Sequence, residues 1–205
     1  MTRKERERLT RKQEIIDASV KLFADKGFNN ATLDDIAASS EFGKGTIYNY
    51  FSSKEEIYSA IVEEVSKNLK QLINQADKAA ESATGFVKTY TSSLFYYCLS
   101  NKEAFILFVR EIVPFTTDIF LLNREKFLRR HNSLRKILIK RFLEGIKNNE
   151  FKETDPDKIV SLYQHMVFPY ILNLIESPKK DLNEDSEIDF VLEVFLKGIS
   201  LKNKR

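Results

Sequence analysis

The stretch GKGTIYNYF, residues 43–51, sets a glycine on either side of a lysine and then crowds three aromatics into four positions. Glycine costs a helix roughly 1 kcal/mol relative to alanine. Positions two apart on a helix point in different directions, so Tyr48 and Tyr50 cannot both turn into one core. A helical projection resolves the difficulty. Ile47 and Phe51, four apart, face inward, while Lys44 and Tyr48, also four apart, face outward with Thr46, Asn49 and Tyr50. The outward set is a cation, a hydroxyl, an amide and two phenols. All can donate hydrogen bonds to phosphate oxygens or touch base edges in a major groove. Gly45 removes a side chain where a DNA backbone would approach, and its N–H near a helix start is a phosphate donor.

Upstream, TLDD at residues 32–35 is a capping-box-like start for a short helix whose inward face is Leu33, Ile36 and Ala37. That helix ends near Ser39 or Ser40, a turn of about four residues follows, and the segment above begins: a helix-turn-helix. Before it, residues 10–26 carry a stripe of Ile15, Ile16, Ser19, Leu22 and Phe23, closed by Gly27 as a left-handed cap and Phe28 as its apolar lock. After it, SKEE at residues 53–56 opens a long fourth helix, with Ser53 as cap and Glu56 reaching back. Lys54, in its first turn, is placed to reach a neighbouring phosphate.

Two stretches together resemble the DNA-binding signature of the tetracycline-repressor (TetR) family: IIDASVKLFADKGF, residues 15–28, and TLDDIAASSEFGKGTIYNYFSSKEEIYSAI, residues 32–61. The resemblance covers about residues 10–60. It implies a dimer that binds a two-fold-related operator and releases it when a small ligand enters the C-terminal domain. It also implies that Thr32, Lys44, Gly45, Thr46, Tyr48, Asn49, Tyr50 and Lys54 stand at DNA-contacting positions. Two residues depart from the family pattern. Glu41 sits where the turn usually has glycine, so a positive φ there would cost about 1 kcal/mol. Gly43 replaces the usual serine cap, at a cost of only a few tenths of a kcal/mol.

Beyond residue 82 the chain turns aromatic, holding twelve of the sixteen phenylalanines. Helices are expected over about 83–100, 102–113, 119–148, 155–176 and 185–202, with Asp155 and Pro156 starting one and SEID at 186 another. The fold expected is all-α, about nine helices, divided into a helix-turn-helix DNA-binding domain over 1–55 and a helical ligand-binding and dimerisation domain over 56–205. In the family the last two long helices form the dimer's four-helix bundle. Here that implies one stripe of Tyr163, Met166, Tyr170 and Leu174, beginning at Ile159, and another of Val191, Val194, Phe195 and Gly198. Both helices are apolar on other faces too, including Leu162, Phe168 and Phe190. An apolar cavity with a few polar groups would draw on Phe95, Phe105, Phe108, Phe115, Phe120, Phe127 and Phe168, with Arg110, Glu111 and His165. Each phenylalanine equally suits an ordinary core.

Composition narrows the function further. With His131 and His165 the only histidines and Cys98 the only thiol, the chain offers no metal-ligand spacing. It has neither a glycine-rich phosphate loop nor a nucleophile elbow, so neither an enzyme nor a cofactor is expected. A lone cysteine excludes an internal disulfide and suits a cytoplasmic protein. The uncharged run from Ile159 to Ile175 contains Gln164, His165, Pro169 and Asn173 and reads as a buried helix rather than a membrane span. Residues 1–12 hold six cations against two carboxylates, a basic leading arm of a kind that accompanies nucleic-acid binding as well as solvated termini. The basic run REKFLRRHNSLRKILIKRF, residues 124–142, keeps an inward stripe of Phe127, Leu134, Leu138 and Phe142 and reads as a solvated helix face. The expected partners are therefore double-stranded operator DNA, a second copy of the chain and an apolar or aromatic effector. The alternative is a DNA-binding protein with no small ligand, whose C-terminal domain docks a protein; a filled C-terminal core would favour it.

Overall fold

The fold comes from a computed structural model that describes residues 1–112, 118–177 and 181–200, with side chains described outside 111–132. Among the described residues it is all-α, with nine helices: α1 Arg3–Lys26, α2 Leu33–Ser39, α3 Lys44–Tyr50, α4 Lys54–Ala79, α5 Ala83–Ser100, α6 Lys102–Ile112, α7 Asp118–Lys147, α8 Pro156–Glu176 and α9 Glu184–Ile199. The helix starts follow the caps. Thr32 and Asp35 close a reciprocal capping box on α2, and Asp155 accepts the Asp157 N–H ahead of Pro156. Two starts differ from the sequence expectation. α1 begins at Arg3, because Thr2 and Glu5 form a second capping box and the residues between 3 and 10 are mostly good helix formers. α9 begins at Glu184, because Asn183 accepts the Ser186 N–H and so takes the cap that Ser186 was expected to supply.

The chain packs as two units. The first comprises residues 1–66 and 103–124, the second residues 67–102 and 125–205, and α4 contributes to both. In the first, Phe23, Phe28 and Tyr58 meet as an aromatic trio with ring centroids 5.1–5.8 Å apart. The Tyr58 hydroxyl donates to the Leu107 carbonyl of α6 at 2.8 Å. Ile15, Ile36, Ile47 and Ile57 are completely buried around this cluster. Gly27 holds φ +80°, the left-handed cap expected after α1.

The second unit is built on rings. Tyr163 of α8 contacts Tyr90, Phe142 and Phe195, and its hydroxyl shares a 2.8 Å hydrogen bond with Thr91 of α5. Arg141 donates to the Asp77 carboxylate and to the Asp77 and Ala80 carbonyls, and its guanidinium lies over Phe86. Arg135 bonds Asp157, Ser161 and Gln164. Two cations of the basic run are thus tied into the protein rather than offered to a partner. Glu150 caps the start of α5 by accepting from Ala83 and Thr84. Gly145 has no room for a side chain, since a Cβ there would lie 2.3 Å from the Phe151 ring.

This core corrects part of the expected dimer face. Tyr163, Leu174, Val191 and Phe195 are buried within their own unit and have no surface to give to a second copy. Tyr170 is half-buried and its hydroxyl donates to Glu187. Exposed instead are Leu162, Phe190 and Val194, at 64%, 53% and 51% of their surface, along with Gly198, while Met166 is half-buried. Of the residues considered for a cavity, Phe105, Phe108 and Arg110 lie on α6 in the first unit and Phe95, His165 and Phe168 in the second. Phe95 and Phe105 are completely buried. Arg110 and His165 are exposed, and a ring nitrogen of His165 lies 2.7 Å from the Ser161 carbonyl. The side chains of Glu111, Phe115, Phe120, Phe127 and His131 lie outside the described residues. No helix among the described residues is long and apolar enough to cross a membrane.

Candidate nucleic-acid interface

The candidate surface is made by α2, α3 and the turn between them. Ile36 and Ala37 anchor α2 in the core, and Ile47 with Phe51 anchors α3, so each helix has a fixed rotation. The turn is tied by Ser40 N–H to the Ile36 carbonyl at 2.9 Å and Phe42 N–H to the Ala37 carbonyl at 3.0 Å. Between them Glu41 takes φ +58°, a left-handed conformation imposed on a residue with a Cβ. Such a conformation costs a non-glycine residue roughly 1 kcal/mol. Glu41→Gly is therefore expected to raise stability by about 1 kcal/mol. The check is a urea titration, in which the midpoint rises and the slope stays constant; a lower midpoint would show that the turn is not strained.

With the rotation of α3 fixed, its other side faces out. Tyr48 keeps 58% of its surface exposed, Lys44, Gly45 and Asn49 are exposed, and Thr46 and Tyr50 are half-buried. A Cβ added at Gly45 would touch nothing in the protein within 4 Å. The fold therefore does not require glycine there, whereas a close external surface would.

Two of the expected contact residues have work inside the protein. The Thr32 hydroxyl accepts from Asp35 N–H at 3.1 Å and donates to the Asp35 carboxylate at 2.7 Å, so it is the N-cap of α2. Lys54 points inward. Its ammonium donates to the carbonyls of Phe28, Asn29 and Ala31 at 2.9, 3.1 and 3.0 Å and stands 4.6 Å from the Phe28 ring centre. All three of its N–H bonds are thereby engaged, and the phosphate role read from its position in α4 does not match this geometry.

The electrostatics hold residues that the sequence pattern did not single out. Lys44 is ion-paired with Asp34 of α2, and both groups are exposed. A surface pair of this kind contributes only ~0–1 kcal/mol and exchanges readily. Asp35 accepts from the Lys26 ammonium at 2.7 Å, which with the Thr32 bonds holds its carboxyl down at about 2. Lys12 stands 5.0 Å over the ring of Phe51, the residue that ends α3. Asp34, Lys26 and Lys12 are charged surface residues, and nothing in their spacing announces a partner.

Residues 15–61 match the family model described as bacterial regulatory proteins, tetR family. The HTH-type transcriptional regulator YhgD of Bacillus subtilis is 28% identical over 174 residues, covering 79% of this chain and 85% of that relative. The IcaR negative transcriptional regulator of the biofilm operon in Staphylococcus epidermidis is 44% identical over 52 residues, 25% of this chain and 28% of that one. Among solved structures, the transcriptional regulator FadR of Bacillus subtilis, in complex with stearoyl-CoA, aligns with a TM-score of 0.76 at 23% identity, over 91% of this chain and 98% of that one. The ketosteroid regulator KstR2 of Mycobacterium tuberculosis aligns at 0.77 and 17% identity, over 94% and 96%.

Proposed function

Because this chain belongs to the tetR family of bacterial regulatory proteins, transcriptional regulators rather than enzymes, we propose that it represses transcription as a homodimer on a two-fold-related operator. The observation that carries the reading is the α3 surface, where Tyr48 is 58% exposed beside exposed Lys44 and Asn49 while Ile47 and Phe51 are buried beneath them. One such helix per subunit would enter each of two successive major grooves, about 34–36 Å apart. A phosphate would displace the Asp34 carboxylate from Lys44, exchanging one exposed ion pair for another. The IcaR relative is a negative regulator by name, which supports repression. The functional division follows: residues 1–55 for DNA, residues 56–205 for the effector and the second subunit, acting in the cytoplasm.

The effector is a small molecule with a largely apolar body. FadR was solved with stearoyl-CoA and KstR2 is a ketosteroid regulator, and both share this fold. The second unit here is correspondingly rich in buried rings, including Phe86, Phe95, Phe142 and Phe195. The effector releases DNA only through its differential affinity for the two states.

Dimerisation uses the outward faces of α8 and α9, through Leu162, Phe190, Val194 and the open Gly198 with Met166 at their margin. Exposed apolar side chains grouped on long helices suit an isologous interface. Leu162→Asp combined with Val194→Asp should convert the protein to a monomer of unchanged helix content and remove tight operator binding. Sedimentation equilibrium checks it: a variant that remains dimeric rules this face out.

A further inference from the structure

The helix α1 outruns the domain it belongs to. Its buried residues begin at Ile15, and every residue before Lys12 is exposed. Yet the helix continues back to Arg3, held by the Thr2–Glu5 box. On a 3.6-residue repeat, the side that carries Phe23, Ser19, Ile16 and Ile15 into the core is continued toward the N-terminus by Lys12, Arg11, Arg8 and Lys4. The inward stripe of an amphipathic helix is thus extended, past the edge of the packed core, in cations.

The charges on this face are not neutralised. Glu5 accepts from the Thr2 backbone N–H, and Glu7 pairs with Arg3 on another side of the helix. Lys4, Arg8 and Arg11 make no ion pair among the described residues. The fourth cation, Lys12, stands over Phe51 at the end of α3, so the row starts beside the candidate interface. From Lys12 to Lys4 it extends roughly 12 Å at 1.5 Å per residue. A duplex carries one phosphate charge per about 1.7 Å of its axis, so this length matches several phosphates.

We propose that the Lys4–Arg8–Arg11 row is a second DNA contact, made to the phosphates flanking the stretch that α3 faces. The proposal rests on the α3 reading, whose site it extends. Because the row contacts only phosphates, it adds affinity on every sequence and leaves base preference to α3.

The test compares wild type, a triple variant (Lys4→Ala, Arg8→Ala, Arg11→Ala) and Arg3→Ala, each titrated against the genomic fragment that wild type selects and against a mixed-sequence duplex at several salt concentrations. All four positions are exposed, and alanine favours helix, so circular dichroism should match wild type. The triple variant should weaken on both duplexes, and its slope of log affinity against log salt should fall by roughly two to three, at about 0.9 per lost phosphate contact. Arg3→Ala, which removes a cation already paired with Glu7, should keep the wild-type slope. A triple variant with the wild-type slope overturns the row while leaving the α3 reading intact. The row is equally overturned if Arg3→Ala alone lowers the slope as far as the triple variant does. Wild type with no affinity for either duplex at low salt overturns the α3 reading itself, and the row with it.

Discussion

Tyr48→Ala abolishes operator binding and leaves the protein folded and dimeric. The side chain is 58% exposed, and α3 is anchored by Ile47 and Phe51 on its opposite side, so removing the ring opens no cavity. Exposed substitutions away from caps and cores usually change stability by less than about 0.5 kcal/mol. On DNA the same ring is a central contact. A good base contact contributes about 1–3 kcal/mol of discrimination, and a dimer loses it twice, so affinity should fall on the order of 10²-fold or more. Fluorescence anisotropy with the selected fragment reads the affinity, and a thermal melt shows the fold unchanged. Tyr48→Phe separates ring from hydroxyl: an intermediate loss assigns part of the contact to the hydroxyl. A Tyr48→Ala protein that binds like wild type would show that the outward face of α3 does not read DNA.

Lys54→Met costs about 2–3 kcal/mol of stability and leaves the salt slope of DNA binding unchanged. The ammonium makes three charged hydrogen bonds to the carbonyls of Phe28, Asn29 and Ala31, in the link between α1 and α2. Hydrogen bonds to charged groups contribute about 1.5–3 kcal/mol, and part-buried carbonyls left without a donor lose more than the bond itself. Methionine keeps the apolar stem over Phe28, so the loss reports the charge and its bonds. For a chain of this size each kcal/mol lowers the melting temperature by about 2–4 °C, giving a fall of roughly 5–10 °C. The opposite pair of results, an unchanged melt with a salt slope lower by about one, would return Lys54 to the phosphate contact its position suggested.

Lys54 shows where the sequence stops being legible. Its position in the fourth helix is readable from SKEE, but the three carbonyls it meets lie about 25 residues upstream, and backbone acceptors leave no trace in residue identity. The helix-turn-helix was readable because its signals are local: Thr32 and Asp35 close a box three residues apart, Gly27 supplies a positive φ, and Ile47 and Phe51 lie one turn apart. Even the departure was readable, since Glu41 stands where glycine is usual and takes φ +58°.

α8 resisted for the opposite reason. From Ile159 to Ile175 nearly every position is apolar, so periodicity cannot choose between the core side and the outer side. What turns Tyr163 inward is Thr91, a residue of α5 seventy-two positions away, whose hydroxyl receives the phenol. With Tyr163 inside, Leu162 is carried outward, and the open surface passes to it, Phe190 and Val194. The start of α1 was lost because a basic, polar stretch looks like a frayed end unless the Thr2–Glu5 box is noticed at the terminus. The same oversight hid the cationic row, which exists only if those residues are helical.

Hydroxyl-radical footprinting of wild type on the genomic fragment it selects most directly tests whether α3 presents a DNA-reading surface. Two protected stretches related by a two-fold axis, with centres one helical turn or about 34–36 Å apart, are expected, and both should vanish with Tyr48→Ala. A single asymmetric stretch, or protection that survives the Tyr48 substitution, would contradict it.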